Sequence, residues 1–291
     1  MAIDALSPPL QRPRKQRRTL PAVWMRAGTS KGPFLHQRDL PPKQEQWAPI
    51  ILAAMGSQDA GPKQLNGIAG ATSTTSKVAV IKPSERPGID VEYTFVQVSI
   101  GSPKLDFTGN CGNIASGVGP FAVDEGLVQP RPGQKTVDIR ILNTNTGRTI
   151  VETLDVDQEG YFLEDGDYQL AGTRWSGSPI GVSFEKPAGA MTGCLLPSGR
   201  PVETAHIPGS IVRPSCDVNV SLVDAANPFV LLDASSLPEA VRSTDTSSAY
   251  FLDFVEVVRC HGAVRMGLAE TTFLMFKSLP SAWGKCIVVF S

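Results

Sequence analysis

Three short segments of the 291-residue chain combine small residues, hydroxyl or amide side chains, and a cation or a thiol. They are Arg26–Gly32 (RAGTSKG), Gly70–Lys77 (GATSTTSK) and Thr108–Asn113 (TGNCGN). Small residues let a ligand approach the backbone, and the exposed N–H groups of such loops bind anions. Hydroxyl and amide groups add hydrogen-bonding capacity, and lysine adds positive charge. Together the loops predict a pocket for a small ligand with several carboxylates or phosphates, although each loop alone is also typical of an ordinary polar turn.

Two residues in these loops are candidates for proton transfer. Lys77 begins an apolar run at Val78–Ile81, so partial desolvation would favour its neutral amine, the form that accepts a proton. Cys111 precedes a predicted helix, and a helix N-terminus favours a thiolate and attracts a carboxylate. The residues by themselves leave two alternatives open, an exposed lysine at the end of a strand and a buried cysteine in a turn.

Several familiar motifs are excluded by their surroundings. Serine precedes both Lys31 and Lys77, so neither loop is a Walker A loop, which requires Gly-Lys-Ser/Thr. Gly117–Ala122 fits the dinucleotide pattern G-x-G-x-x-A but lies inside a predicted helix instead of after a strand. Gly28–Gly32 fits G-x-S-x-G, but Pro33 follows where a nucleophile elbow needs a helix. The three histidines are scattered along the chain, which favours structural roles over a metal site.

The composition is typical of a globular chain with balanced charge. Lys and Arg number 27 against 28 Asp and Glu, and 41% of the residues are apolar. These values exclude a disordered chain and argue against a general nucleic-acid binder. No apolar run reaches the ~18 residues of a membrane span. The five cysteines lack C-x-x-C spacing and the N-terminus lacks an apolar signal segment, so we expect a reducing, cytoplasmic location.

The N-terminal tail over residues 1–18 carries a basic, proline-broken run from Arg12 to Arg18. It predicts a solvated, flexible extension, with a mitochondrial or nuclear address as the alternative. Nucleic-acid binding by this run is disfavoured, because no interleaved aromatic residues or basic domain accompany it.

The numerous turn residues, 27 Gly and 24 Pro, favour a strand-rich α+β fold of two lobes. Helices are predicted over Gln44–Met55 with Gly56 as C-cap, over Ile114–Val123 with Asn113 as N-cap, and over Ala249–Arg259. The predicted strands are Lys77–Ile81, Val91–Ile100, Lys104–Thr108, Thr136–Leu142, Thr149–Val156, Tyr168–Thr173, Pro179–Phe184, Val218–Leu222, Phe229–Leu232 and Lys285–Phe290. A change in the apolar phase near Phe95 predicts a β-bulge there.

Six motifs, in chain order from about residue 20, resemble those of the PrpF family. The motifs are Met25–Gly32, Gly67–Ala79, Gly109–Asn113 with Gly119–Ala122, Leu195–Gly199, Ser221–Pro228 and Gly262–Ala269. This family includes methylaconitate and aconitate isomerases, methylitaconate isomerase and oxalomesaconate tautomerase. The resemblance implies a diaminopimelate-epimerase-like fold, in which each lobe is a strand-rich barrel around a helix and the active site lies in the cleft. We expect the first lobe over residues 19–187 and the second over 188–291.

The resemblance also implies a function. It implies a cofactor-independent isomerase, without a metal, that shifts the double bond of an unsaturated tricarboxylate such as aconitate or methylaconitate by proton transfer. The family's functional lysine and cysteine fall on Lys77 and Cys111, the expected acid/base pair. Together with the loop chemistry, it assigns carboxylate binding to Thr29, Ser30, Lys31, Ser73, Asn110, Gly112, Asn113 and Asn227, the last from the second lobe. The expected partner is a small polycarboxylate, with no nucleic acid or membrane and with a homo-oligomer left open.

Some positions depart from the family pattern. Ala27 and Ala69 stand where the family prefers glycine, and Asn66 stands where aspartate is usual. The relatives continue well past Ser291, so we expect an incomplete second lobe with exposed strand edges. Two alternatives therefore stay open: an isomerase or tautomerase of a different alkylated or oxo polycarboxylate, and a truncated non-catalytic remnant of the family.

Overall fold

The computed structural model describes residues 18–58, 61–268, 275–278 and 286–290. The predicted basic tail therefore lies outside the described residues, except for Arg18. No helix in these ranges combines the length and the apolar character that crossing a bilayer requires.

The first sheet has eight strands among the described residues and is mostly antiparallel. Its strands are β1 (Val23–Ala27), β2 (Ser30–His36), β3 (Lys77–Pro83), β4 (Val91–Val98), β5 (Leu105–Asp106), β6 (Thr136–Asn143), β7 (Arg148–Asp155) and β8 (Ile180–Phe184). Their order is β1-β2-β3-β4-β6-β7-β8, with β5 paired to β4. The pairs β2–β3 and β4–β6 are parallel.

The second sheet has five antiparallel strands in the part of the chain that the structure describes. They are β9 (Glu203–Ile207), β10 (Cys216–Ala225), β11 (Asn227–Asp233), β12 (Met275–Ser278) and β13 (Cys286–Phe290), in the order β12-β13-β11-β10-β9. Ala226 joins β10 to β11, and β13 confirms the strand predicted near the end of the chain.

Within the described ranges, five α-helices accompany the sheets: α1 (Ala48–Met55), α2 (Gly112–Ala115), α3 (Val118–Asp124), α4 (Glu239–Arg242) and α5 (Ala249–Arg265). Helices α2 and α3 together contact β1, β2 and β3 near one end of the first sheet and β6 and β7 near the other. The sheet therefore curls around them, and α5 packs on the second sheet through β9, β11 and β13. The α+β prediction is confirmed.

Helix α1 ends as its sequence predicts. A 3-10 turn at Gln44–Gln46 leads into α1, and Gly56 follows as C-cap with a φ of +77°. Glycine is the residue best suited to this left-handed conformation.

Strand β4 is buried on both faces, and the predicted bulge at Phe95 is wrong. Its pairing with β3 runs without a shift from Lys77 opposite Gln97 to Pro83 opposite Val91. Tyr93 and Phe95 belong to the core beneath α2 and α3, whereas Val96 and Val98 belong to a separate core with α1. The apolar phase changes because two cores cover opposite faces of one regular strand.

Two other predicted elements differ from the structure. The predicted helix over Ile114–Val123 is two helices, α2 and α3, with Cys111 instead of Asn113 as the N-cap of the first. The predicted strand Tyr168–Thr173 is absent from the described residues, where Tyr168 forms only an isolated bridge with Gly177. Residues 163–176 are all exposed, so no apolar face holds that segment in a sheet.

Candidate active site

Lys77 and Cys111 lie in direct contact. The distance from Lys77 Nζ to Cys111 Sγ is 3.4 Å, and the two residues are 2% and 5% exposed. The face of the Phe95 ring covers the amine, with its centroid 5.1 Å from Nζ. A primary amine and a thiol thus meet in a site that is almost closed to solvent.

Strand pairing places Lys77. It is the first residue of β3, opposite Gln97 of β4, and β2 passes close on its other side. A Cβ atom at Gly32 of β2 would lie 2.0 Å from the carbonyl oxygen of Lys77. Only glycine permits this approach of two backbones.

Replacing Gly32 with alanine should therefore destabilise the fold around Lys77. Because the added methyl group meets backbone and not a flexible side chain, we expect the free energy of unfolding to fall by about 3 kcal/mol. Urea unfolding of the purified variant measures this change. Gly181→Ala on β8 is the matched control, since its Cβ would find the nearest atom at 3.5 Å. Equal stability of the two variants would contradict the close approach.

Two buried glutamines hold the loop that leads into Lys77. Gln64 donates from Nε2 to Ser57 Oγ at 2.7 Å, and its Oε1 accepts from Ala71 N and from Ser76 Oγ, both at 2.9 Å. Gln97 donates from Nε2 to the carbonyl oxygen of Ser76 at 2.9 Å. The residue before Lys77 is therefore fixed through both its side chain and its backbone. Sequence analysis missed both glutamines, because glutamine side chains are usually exposed.

Cys111 is held at the start of α2. Its Sγ accepts a hydrogen bond from Ile114 N at 3.5 Å in addition to the contact with Lys77. The preceding residue, Asn110, is bound from the second sheet: its N–H donates to Asn227 Oδ1 at 2.9 Å, and its carbonyl accepts from Asn227 Nδ2 at 3.1 Å. Both sheets thus contribute to the placement of the thiol.

A buried aspartate stabilises the turn that presents Asn227. Asp224 Oδ2 accepts from Met191 N, Thr192 N and Thr192 Oγ1 at 2.7–2.8 Å. These bonds tie the segment between the two sheets to the end of β10. Ala226 then turns the chain with a φ of +65°.

The remaining predicted binding residues lie in the chain segments that lead into or follow the residues of the pair and their contacts. Asn113 Nδ2 donates to Thr29 Oγ1 at 2.7 Å, so an exposed side chain of α2 meets one from the turn between β1 and β2. Lys31 is half-buried, and its N–H donates to the carbonyl of Thr74, next to half-buried Ser73. Gly112 is exposed as the first residue of α2.

Ser30 is the one residue of this set whose polar group is both buried and unpaired. It is 1% exposed, and its Oγ has no hydrogen-bond partner among the described residues. A buried hydroxyl of this kind normally has a partner, so an oxygen of a bound ligand would satisfy it.

Two buried ionisable residues that sequence analysis missed, Glu152 and Tyr93, lie in the core beneath α2 and α3. Glu152 is fully buried, with Oε2 accepting from Gly119 N at 2.7 Å, and burial raises the pKa of its carboxyl well above the ordinary value. Burial likewise raises the pKa of the Tyr93 hydroxyl well above its ordinary value. A signal for Glu152 existed, since it lies between Ile150 and Leu154 on the inward face of one strand.

The raised pKa of Glu152 makes stability depend on pH. Below the pKa of the unfolded chain both states hold the proton, and above it the unfolded state ionises first, so the folded state loses stability as pH rises. Glu152→Gln removes this loss while keeping an acceptor for Gly119. We expect the stability of the variant relative to wild type to increase by up to about 1.4 kcal/mol per pH unit above pH ~4.5. Urea unfolding between pH 4.5 and 8 measures it, and a constant difference would contradict a neutral Glu152.

No group of three or more His, Cys, Asp or Glu side chains within the described ranges is arranged to hold a metal ion. His36 instead pairs with Glu125 at 2.9 Å and His206 with Asp217 at 2.7 Å.

Two sheets, each packed on helices, form a diaminopimelate-epimerase-like fold, as predicted. The chain belongs to the PrpF family, because the family model described as PrpF protein matches residues 17–282. A crystal structure of methylitaconate-delta-isomerase has the same fold, with a TM-score of 0.63 and 39% identity, covering 87% of this chain and 63% of that one.

Curated relatives are similar over most of this chain. A putative isomerase, YraM of Bacillus subtilis, is 45% identical over 251 residues, which are 84% of this chain and 64% of the relative. The 3-methylitaconate isomerase of Eubacterium barkeri is 40% identical over 255 residues, 87% of this chain and 64% of that protein. The chain thus spans just under two thirds of the length of these relatives.

Proposed function

We propose that this protein is an isomerase that shifts a carbon–carbon double bond within an unsaturated polycarboxylate. The observation that carries the proposal is the 3.4 Å contact between Lys77 Nζ and Cys111 Sγ in a nearly closed site. General acid–base chemistry needs two such groups within reach of one substrate.

The reaction conserves atoms and electrons. One group of the pair removes a proton from a carbon that is allylic to the double bond and conjugated through it to a carboxylate. The electron pair of the broken C–H bond becomes part of a dienolate, and a proton returns at the other allylic end as the double bond shifts. No electron is gained or lost overall, so the step calls for no redox cofactor.

Contact between the two groups also provides a way to restore them after each turnover. If one residue removes the proton and the other supplies one, the pair ends with its protons exchanged. Lys77 Nζ and Cys111 Sγ lie within hydrogen-bond distance, so a proton can pass directly between them.

The surroundings of the pair suit a ligand with several carboxylates. The residues assigned to carboxylate binding supply hydroxyl, amide, backbone N–H and ammonium donors. They are Thr29, Ser30, Lys31, Ser73, Asn110, Gly112, Asn113 and Asn227. Donors aimed at a dienolate stabilise its negative charge in a site with little water. The unpaired hydroxyl of Ser30 is the group best suited to receive a carboxylate oxygen.

The relatives support the proposed substrate class. They include 2-methyl-aconitate isomerase of Shewanella oneidensis, at 36% identity over 86% of this chain, and a (4E)-oxalomesaconate Delta-isomerase of Novosphingobium, at 39% over 77%. We propose a tricarboxylate such as aconitate or methylaconitate, with an oxo polycarboxylate as the alternative.

A substrate survey tests the proposal. Purified protein is incubated with cis-aconitate, trans-aconitate, 2-methylaconitate, 3-methylitaconate and oxalomesaconate, and the olefinic and methylene protons are followed by NMR. We expect one of these acids to be converted, and Lys77→Met protein prepared in parallel to be inactive, which excludes a contaminating isomerase. A folded protein that converts none of them would contradict the proposal and favour a non-catalytic remnant.

A further inference from the structure

Asn143, at the end of β6, is a fully buried asparagine. Hydrogen bonds in the turn that follows β6 fix the orientation of its side-chain amide. Its Oδ1 accepts hydrogen bonds from Asn145 N at 2.9 Å and from Thr146 N at 3.0 Å. An amide nitrogen accepts no hydrogen bond, so the oxygen must face these two N–H groups. The Nδ2 group of Asn143 must then point the opposite way.

This orientation in turn dictates that of Asn110. Asn143 Nδ2 lies 2.9 Å from Asn110 Oδ1. If the Asn110 amide were flipped, two NH₂ groups would face each other and neither would find an acceptor. The Asn110 oxygen is therefore committed to Asn143, and its Nδ2 lies on the other side of the amide.

The backbone of Asn110 is already occupied. Its N–H and its carbonyl oxygen both bind the side chain of Asn227, at 2.9 and 3.1 Å. Within the described part of the chain, Nδ2 is the one polar group of Asn110 that makes no hydrogen bond. The residue that follows is Cys111, whose sulfur contacts Lys77.

We propose that Asn143 is a positioning residue that makes Asn110 a hydrogen-bond donor to a substrate carboxylate beside Cys111. An unconstrained asparagine can present either an oxygen or an NH₂ group, and only the NH₂ group binds a carboxylate. This inference rests on the proposed function, because it assigns a carboxylate ligand to the same site.

Asn143→Asp tests the proposal with little change in shape. The introduced carboxylate keeps one oxygen for the N–H groups of Asn145 and Thr146 but presents a second oxygen to Asn110. The Asn110 amide then turns to donate to this second oxygen, and its own oxygen faces the ligand. We expect the Kd for tricarballylate, a saturated tricarboxylate that cannot isomerise, to rise at least about tenfold in titration calorimetry.

A second variant leaves the turn of Asn143 intact. In Asn110→Asp, Asn143 still donates to one carboxylate oxygen, and the other oxygen replaces Nδ2, so we expect a comparable loss of tricarballylate binding. Asn219→Asp on β10 is the matched control, because the introduced carboxylate still accepts from Thr204 Oγ1 far from the pair. Its Kd should equal that of wild type.

A double-mutant cycle separates positioning from a general structural effect. In an Asn110→Ala background there is no amide to orient, so adding Asn143→Asp should change the Kd by no more than about threefold. An unchanged Kd in Asn143→Asp, the same loss in both backgrounds, or a folded wild-type protein that does not bind tricarballylate would overturn the proposal. If these binding effects appear but no acid is isomerised, the role of Asn143 stands and the proposed function fails.

Discussion

Lys77→Met should lower turnover of the preferred acid by about 10³-fold or more, while the protein stays folded. Removal of a positioned acid or base typically lowers the rate 10²–10⁴-fold. In this variant Cys111 also loses the partner that would restore its protonation state after each turnover. Methionine is unbranched and nearly as long as lysine, so it fills the space beside the Phe95 ring. Initial rates measured by NMR or by olefinic absorbance give the loss.

The matched control for Lys77→Met lies on the same strand. Lys82 pairs with Glu92 at 3.0 Å and its side chain is 41% exposed, so Lys82→Met should leave kcat within about twofold, because surface ion pairs contribute little. A Lys77→Met protein with the kcat of wild type would refute the assignment of Lys77.

Cys111→Ser should lower turnover by about 10²-fold or more with a smaller effect on stability. The serine hydroxyl still accepts the hydrogen bond from Ile114 N that caps α2. It is a much weaker acid than a thiol, however, and cannot exchange a proton with Lys77 at a useful rate. Parallel thermal unfolding and initial rates separate the two effects.

Cys194→Ser provides the comparison for Cys111→Ser, since Cys194 is an exposed cysteine outside the site. Its rate should match that of wild type. Equal rates in the two serine variants would show that the Cys111 thiol takes no part in proton transfer.

The sequence points to the proposed reactive residues more readily than to the residues that hold them in place. Lys77 and Cys111 stand out because each ends a loop of small residues next to a regular element, and that pattern is local. Gln64, Gln97 and Asn143 each bind a partner that is 7–33 residues away along the chain. In the sequence, a glutamine or an asparagine looks the same whether its side chain is buried or exposed. Their roles become visible only when the strands are assembled.

The errors in the predicted elements also have physical causes. The bulge near Phe95 is predicted because alternation of apolar and polar residues assumes that one face of a strand is polar. Strand β4 has no polar face, because a hydrophobic core covers each side. The helix predicted from Asn113 begins one residue after Cys111 because the cysteine sulfur takes the place of a capping oxygen. By contrast, the end of α1 was predictable, since Gly56 follows an apolar helix and glycine favours the left-handed conformation found there.

Incorporation of solvent deuterium tests the central claim most directly. The preferred acid is converted in D₂O, and the label is read by NMR at the carbon that receives the proton. If Lys77 takes part, deuterium should appear in most turnovers, because the second group of the pair supplies a solvent-derived deuteron. Even a lysine that returned a hydrogen itself would hold two solvent deuterons beside the proton it removed, and would return a deuteron on the order of two times in three. Exchange should vanish in Lys77→Met. Isomerisation with complete retention of the original hydrogen, or undiminished exchange in Lys77→Met, would contradict the acid–base role of Lys77 and Cys111.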